Sequence, residues 1–373
     1  MLCLHKIYAT NIMNYLKPVF KSIKKPVKRL KVYLKQKAGW LGMPKILPYK
    51  GYGNYSDIFL KGIVIEDKGL AKPKDKQMFW QNILATLKRF SSDGIAGARV
   101  KATFFDESMI TETDELGYFE FHFQLKQSTT KLITNKWHKV HIELIDKVIE
   151  NQGEVSAIGE VMIVHPQQNR IIVSDIDDTV LISHSTQTLR KLRLMLLKNA
   201  LTRLPFPGVA NFYRALASGK EKQDDHPFFF VSSSEWNLYD LLEDFFRFNN
   251  IPKGVFLLRK VNHSIFKFWK SGGGNHEQKY IEIKSLLNFY RNEKFILIGD
   301  SGQRDPEIYT KIALEFPGRI EAIYIRKIRS RSFLNSDEDF NKKLENAKTT
   351  YLEVHDTNEA VEHATEQGFI KIN

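Results

Sequence analysis

The chain has 373 residues, which exceeds the size at which one hydrophobic core keeps growing, so we expect two domains. Hydrophobic residues make up an ordinary 42% of it, and its single cysteine, Cys3, excludes an internal disulfide. We find no run of eighteen apolar residues and no apolar signal-peptide core in residues 1–20. We therefore expect neither a spanning helix nor secretion, and a cytoplasmic location.

The formal net charge of +13 is concentrated in residues 1–50, which hold twelve Lys or Arg and no Asp or Glu. Val27, Leu30, Tyr33 and Leu34 fall on one side of a possible helix, a basic amphipathic pattern typical of membrane-surface anchors. We therefore expect a basic N-terminal arm that docks on an anionic membrane surface. A solvated, partly disordered arm is the alternative. Nucleic acid is a third option, and the scarcity of aromatic residues among the lysines argues against it.

Residues 51–166 are predicted to form an all-β domain. Apolar and polar residues alternate with a period of two at 100–104, 119–123 and 140–144, which predicts half-buried strands. Together these strands predict a small antiparallel sandwich. The run TDELG at 113–117 precedes the second of them, and this arrangement resembles transthyretin-like modules. No chemistry is predicted in this domain.

Residues 167–373 show alternating strand and helix patterns. Strands are predicted at about 170–174, 227–231, 255–258, 294–298, 320–325 and 350–353. Helices are predicted near 186–203, 207–218, 236–249, 277–291, 306–316, 338–347 and 357–367. This alternation predicts an α/β domain, a parallel sheet with helices on both faces. Because the segment between the first two strands is short, we expect a minimal helical flap and no separate cap domain.

Two of the predicted strands end in carboxylates. Asp175 and Asp177 follow the first strand, and Asp300 and Asp305 follow the fourth. Ligand sites of open parallel sheets lie beyond the carboxyl ends of the strands, so we expect the two acidic groups to meet. Carboxylates that meet repel one another, which indicates a hard divalent cation, and phosphate commonly accompanies such a cation. The alternative, that each acid only marks a surface turn, is weaker for two runs than for one.

The motifs around these acids resemble a known superfamily. IIVSDIDDT at 171–179 and FILIGDSGQRD at 295–305 resemble motifs I and IV of the haloacid dehalogenase (HAD) phosphotransferases. Ser232, after an apolar strand, matches motif II, and Lys279, at the start of a helical pattern, matches motif III. The segments SDIDDT, VSSSEW and IGDSGQRDPEIY are similar to sequences of one branch, the catalytic family of the actin-patch-protein phosphatidate phosphatases. The similarity covers roughly 165–370, although the chain has SSSE where the family's Ser-x-Ser-Pro is expected.

Residue types predict the chemistry of this site. We expect Asp175 to be the nucleophile, because a carboxylate that attacks phosphorus splits one difficult displacement into two easier steps through an aspartyl-phosphate. Asp177 is expected to act as general acid in the first step and general base in the second. Ser232 and Lys279 are expected to bind the oxygens of the transferring phosphoryl group.

Mg²⁺ is the expected cofactor. The carboxylates of Asp175 and Asp300 and the backbone carbonyl of Asp177 are the predicted ligands, with water and a phosphate oxygen completing an octahedron. Asp305 is expected either to be a direct ligand or to contact the ligands.

The resemblance implies a phosphoric monoester hydrolase, a Mg²⁺-dependent phosphatidate phosphatase that converts a phospholipid into diacylglycerol and phosphate. The basic arm and the missing cap favour a bulky, membrane-embedded substrate and a peripheral position on a membrane. Two alternatives remain open. One is a HAD phosphatase acting on a soluble or protein-bound phosphoester, and the other is a non-catalytic, membrane-associated scaffold. The retained set of mutually repelling carboxylates argues against the scaffold.

Overall fold

A computed structural model describes most of the chain beyond the arm. The described residues are 41–67, 94–166, 168, 170–176, 207–220, 225–259, 276–328 and 338–371. Their contacts divide them into two compact units, 41–67 with 94–161, and 162–371. None of the helices within these ranges is long and apolar enough to cross a membrane. Asp177, the predicted helix near 186–203 and the first forty residues of the arm lie outside the described residues.

The first unit contains one eight-stranded sheet and a short helix. The strands are β1 (Pro44–Pro48), β2 (Gly51–Gly53), β3 (Asp57–Glu66), β4 (Arg99–Phe104), β5 (Glu107–Glu112), β6 (Tyr118–Gln124), β7 (Trp137–Leu144) and β8 (Ser156–Ile163). Their order is β1-β3-β2-β8-β7-β4-β5, and β6 pairs with β3. The pairs β1–β3, β2–β3, β3–β6, β4–β5 and β4–β7 are antiparallel. Helix α1 (Gln127–Thr130) lies between β6 and β7.

Strand β1 begins the sheet inside the segment 1–50 that the charge pattern predicts to be an arm. Pro44 to Pro48 pair in register with Glu66 to Gly62 of β3, and the Ile46 side chain is buried. Residues 44–48 therefore belong to the sheet, which limits any separate arm to the residues before them. The three segments with period-two alternation lie in β4, β6 and β7. A sandwich of transthyretin-like topology stays a prediction.

The second unit contains a six-stranded sheet. The strands are β9 (Arg170–Asp175), β10 (Phe228–Glu235), β11 (Val255–Arg259), β12 (Lys294–Asp300), β13 (Ile320–Arg326) and β14 (Thr350–Val354). The helices are α2 (Val209–Ser218), α3 (Tyr239–Phe248), α4 (His276–Phe289), α5 (Asp305–Glu315), α6 (Glu338–Asn346) and α7 (Thr357–Glu366). The order is β11-β10-β9-β12-β13-β14, and every neighbouring pair is parallel. The predicted α/β class with a parallel sheet is confirmed.

Helices pack on both faces of this sheet around β9. Residues 171–173 are fully buried, as expected for a central strand covered on both sides. Successive residues of a strand point to opposite faces. Accordingly, the Ser174 hydroxyl contacts the Tyr213 hydroxyl of α2 at 2.6 Å, whereas the Asp175 carboxylate contacts Lys279 of α4.

The strand order places a topological switch point between β9 and β12. The chain continues from β9 to β10 and β11 on one side of the sheet, and β12, β13 and β14 lie on the other side. The register pairs Ser174 of β9 with Ile298 of β12. Asp175 therefore lies beside Gly299, and Asp300 lies one residue further along β12. The crevice at such a point is where open α/β sheets bind their ligands.

Candidate active site

A buried ion cluster lies at the carboxyl ends of β9 and β12. Asp175, the last residue of β9, is fully buried, and Lys279, in the first turn of α4, is buried beside it. The Lys279 Nζ donates to Asp175 Oδ1 at 2.8 Å and also donates to Asp305 Oδ1. Lysine is almost never buried unless it is paired. Lys279 therefore joins the first predicted acidic group to the second.

Lys279 keeps its charge inside the protein. Burial by itself lowers the pKa of Lys279, because it disfavours the charged form. The negative charges of Asp175 and Asp305, and their hydrogen bonds to Nζ, outweigh burial, so the pKa of Lys279 lies above its ordinary value. A charged ammonium group therefore offsets the repulsion between these two carboxylates.

The loop from Asp300 to Asp305 is folded around its own carboxylates. Asp300 Oδ1 accepts hydrogen bonds from the Gly302 amide at 2.5 Å and the Gln303 amide at 3.0 Å. Asp305 Oδ2 accepts one from the Asp300 amide at 3.2 Å. Asp305 is the first residue of α5, and Pro306 follows it in the first turn, where proline is favoured. Both oxygens of Asp305 thus accept hydrogen bonds, one from Lys279 and one from the loop.

Gly299 provides the space that Asp305 needs. A Cβ atom added at Gly299 would lie 2.5 Å from Asp305 Oδ2 and 2.8 Å from the Tyr309 ring. Both distances are shorter than real Cβ contacts. The carboxylate of Asp305 therefore approaches the backbone of β12 only because residue 299 has no side chain.

Gly299→Ala is expected to displace Asp305 from Lys279. The collision lies in a close-packed region, so the unfolding free energy should fall by about 1–3 kcal/mol. Urea unfolding followed by circular dichroism measures this loss. Gly153→Ala is the matched control, because nothing lies within 4 Å of a Cβ added there. Equal stability of the two variants would contradict a packing requirement at residue 299.

The acidic residues fit a hard metal ion. Asp175, Asp300 and Asp305 are all fully buried, and one carboxylate oxygen from each lies within 4.8 Å of the others. Oxygen-only ligands of this kind suit Mg²⁺ better than a metal that prefers sulfur or imidazole. The structure therefore contains a buried acidic triad with the donor chemistry that the predicted cofactor requires.

Of the two remaining predicted residues, Ser232 and Asp177, the structure describes Ser232. Val231 of β10 pairs with Asp175, so Ser232 lies one residue beyond that pair at the same edge of the sheet, and it is buried. Asp177 lies outside the described residues, so its predicted acid–base role stays a prediction. Strand β10 continues to Glu235, past the predicted end at residue 231, with an irregular register in that stretch.

Sequence reasoning missed a buried hydroxyl pair behind the predicted nucleophile. The Ser174 hydroxyl contacts the backbone carbonyl of Asp175 at 2.8 Å and the Tyr213 hydroxyl at 2.6 Å. Burial raises the pKa of Tyr213, so its hydroxyl stays protonated. The pair connects α2 to the end of β9. Nothing in the local pattern around Tyr213 signals this contact, because its partner lies 39 residues earlier in the chain.

Comparisons with known proteins agree with the location of this site. Residues 170–327 match the family described as "Phosphatidate phosphatase APP1, catalytic domain". An uncharacterized protein of Schizosaccharomyces pombe is 28% identical over 270 residues, which cover 70% of this chain and 42% of that protein. Phosphatidate phosphatase APP1 of Saccharomyces cerevisiae is 33% identical over 155 residues, which cover 42% of this chain and 25% of that protein. This chain therefore spans less than half the length of each relative.

Similarities to solved structures are weak. A carbohydrate acetylesterase from Xanthomonas citri is 10% identical, and its TM-score is 0.29. The alignment covers 86% of this chain and 72% of the esterase chain. A Ca²⁺-stabilized adhesin of an Antarctic bacterium is 10% identical, and its TM-score is 0.18. The alignment covers 34% of this chain and 24% of the adhesin chain. Similarity at this level supports no conclusion about fold or function.

The family match includes Asp175, Ser232, Lys279, Asp300 and Asp305. It also lies within residues 165–370, over which the motifs resemble the phosphatidate phosphatases. The predicted family is confirmed, and residues 170–327 of this chain belong to the family of the phosphatidate phosphatase APP1 catalytic domain.

Proposed function

We propose that this chain is a Mg²⁺-dependent phosphatidate phosphatase of the HAD type. The observation that carries the proposal is the buried cluster of Asp175, Lys279, Asp300 and Asp305 at the switch point of a parallel sheet. Burying three carboxylates and an ammonium group costs several kcal/mol per ion before their mutual attraction offsets it. A scaffold has no need for such a cluster, whereas phosphoryl transfer does. The family match, in which one relative is named a phosphatidate phosphatase, supports the choice of reaction and substrate.

Asp175 would act as the nucleophile. In the first step, a carboxylate oxygen of Asp175 forms a bond to phosphorus while the bond from phosphorus to the lipid alkoxide breaks. Asp177 donates a proton to the leaving alkoxide, which gives diacylglycerol. In the second step, Asp177 takes a proton from water, and the resulting hydroxide attacks phosphorus. The acyl-phosphate bond breaks, phosphate leaves, and Asp175 returns to its carboxylate form.

Lys279 would hold Asp175 for attack and balance charge. Its Nζ contacts one oxygen of Asp175, which fixes the carboxylate plane at the end of β9. It also contacts Asp305, whose second oxygen accepts from the Asp300 amide. Lys279 thereby couples the orientation of the nucleophile to the loop at the end of β12. Ser232, at the same edge of the sheet, would bind a phosphoryl oxygen.

Mg²⁺ would be held by the carboxylates of Asp175 and Asp300 together with the carbonyl of Asp177. When bound, it neutralises charge on the phosphoryl oxygens. Asp305 has both oxygens engaged by hydrogen bonds, which favours a role in positioning Lys279 and Asp300 over direct metal binding.

Removal of divalent cations is expected to silence the enzyme, and added Mg²⁺ should restore it. The same ion should stabilise the fold, by about 2–3 kcal/mol when its concentration exceeds the dissociation constant about 100-fold. Activity after EDTA treatment measures the first effect, and thermal unfolding with and without Mg²⁺ measures the second. Asp300→Asn is the control that should lose the stabilisation. Activity that is unchanged after EDTA treatment would refute the metal role.

The substrate is tested by phosphate release from a panel. Phosphatidate, lysophosphatidate, sugar phosphates and a phosphopeptide share the phosphomonoester and differ in the group that carries it. We expect fastest release from phosphatidate. Faster release from a soluble or peptide-bound phosphoester would favour the alternative HAD phosphatase, and no release from any of them by the Mg²⁺-loaded protein would favour the scaffold.

We also propose that the basic arm docks the enzyme on an anionic membrane surface. The proposal is supported by the concentration of positive charge in residues 1–50, since each Lys or Arg near an anionic leaflet contributes about 1 kcal/mol. The peripheral location on a cytoplasmic membrane face follows from this contact. Because β1 belongs to the sheet, an arm deletion should end at residue 40 and leave residues 44–48 intact.

A further inference from the structure

The turn between β4 and β5 presents an aromatic side chain to solvent. Phe104 pairs with Glu107, so Phe105 and Asp106 form a two-residue hairpin turn. Phe105 has a φ of 51°, and its side chain is 43% exposed. A positive φ at the first central position of a hairpin turn favours glycine, and a bulky residue there is uncommon. Neither local backbone preference nor full burial explains a phenylalanine at this position.

A second exposed apolar residue belongs to the same end of the unit. Helix α1 packs on the hairpin turn, since the Thr129 hydroxyl donates to Asp106 Oδ1 at 3.1 Å and the Lys126 amide donates to Glu107 Oε1 at 2.9 Å. Leu132 follows this helix, its amide bonded to the Thr129 carbonyl, and it is 48% exposed. We name Phe105 and Leu132 together the apolar tip.

Two lysines lie beside the apolar tip. Lys126 and Lys131 flank α1, and both are exposed. The carboxylates of Asp106, an exposed residue, and of half-buried Glu107 each accept a hydrogen bond from this helix and its N-cap. Exposed apolar side chains bordered by lysines are the pattern of a surface that enters an anionic lipid interface.

We propose that the apolar tip inserts between the headgroups of an anionic membrane, with Lys126 and Lys131 beside the lipid phosphates. This is a second membrane contact, separate from residues 1–50. The choice of a lipid partner rests on the proposed function, because a phosphatidate phosphatase meets its substrate in a bilayer.

Binding of the full chain to vesicles tests the proposal. Phe105→Asp and Leu132→Asp replace each apolar contact with a charge that anionic lipid repels. Ile158→Asp is the matched control, because Ile158 is an apolar side chain of the same unit that is 54% exposed, on β8. Flotation with phosphatidylcholine vesicles, with and without phosphatidylserine, measures binding. Turnover of soluble p-nitrophenyl phosphate and the circular dichroism spectrum monitor the site and the fold.

We expect Phe105→Asp and Leu132→Asp each to weaken binding to the phosphatidylserine vesicles about tenfold, and Ile158→Asp to bind like wild type. Turnover of the soluble substrate should stay unchanged in all three. Phe105→Gly suits the positive φ and removes the ring, so it should keep the fold and still weaken binding. Equal binding of the tip variants and wild type would overturn the proposal, as would wild-type protein that binds no vesicles.

The experiment separates this proposal from the proposed function. Vesicle binding that depends on Phe105, by a protein that releases no phosphate from phosphatidate, would support the membrane contact of the apolar tip and contradict the proposed substrate. Hydrolysis of phosphatidate by a protein whose vesicle binding does not change on substitution of Phe105 would support the proposed function and contradict the membrane contact of the apolar tip.

Discussion

Asp175→Asn is expected to abolish the proposed phosphatidate hydrolysis, with a loss of turnover of about 10³-fold or more. An amide oxygen is a poor nucleophile toward phosphorus, so the aspartyl-phosphate cannot form at residue 175. The fold should persist, because asparagine has nearly the same shape and Lys279 keeps its contact with Asp305. Steady-state turnover with saturating Mg²⁺ measures the loss, and circular dichroism checks the fold.

Asp225→Asn is the matched control for this substitution. Asp225 is an exposed residue that precedes β10, so it lies at the opposite end of the strands from Asp175. Its φ of 45° is one that asparagine tolerates well. Turnover of this variant should equal that of wild type. If Asp175→Asn is as active as Asp225→Asn, residue 175 is not the nucleophile.

Lys279→Met is expected to cause the largest loss of stability among single substitutions at the site, together with a loss of turnover. Removing the ammonium leaves Asp175 and Asp305 buried without their shared partner, and an uncompensated buried charge typically costs about 3–5 kcal/mol. Methionine has a similar volume, so a cavity contributes little. The unfolding free energy in urea without divalent cations measures the effect.

Lys284→Met on the same helix is the matched control. Lys284 pairs with Glu315 at the surface, where both side chains are about one third exposed. Surface pairs of this kind contribute little to stability because solvent screens them, so the control should be nearly as stable as wild type. Similar losses for the two variants would mean that the buried cluster is not held together by Lys279.

The sequence by itself predicted the sheet and its acidic edge. Residues 171–173 and 295–298 are continuous apolar runs, and strands buried on both faces require such runs whatever surrounds them. Because parallel strands end at a common edge, the convergence of Asp175 and Asp300 followed from their position after these runs. Both features depend on patterns confined to a few consecutive residues, and such patterns are visible in the sequence alone.

Lys279 illustrates what local sequence leaves undecided. A lysine on a helix usually lies on a solvated face, and nothing in HEQKYIEI distinguishes this one beyond its position between two motifs. Its burial and its bridge between Asp175 and Asp305 arise only when α4 packs beside β9 and α5. The same applies to Gly299, whose missing side chain matters because Asp305 approaches it in space.

Pairing across long stretches of chain accounts for the other differences. Residues 44–48 look like part of a basic arm, yet they form β1 because they pair with β3 in an antiparallel register. Ser174 and Tyr213 meet only because α2 returns to cover β9. The sequence by itself therefore determined the class of fold and the edge at which the acids gather. Only the tertiary structure decided which partners hold them, because those contacts join residues that are distant along the chain and carry no local pattern.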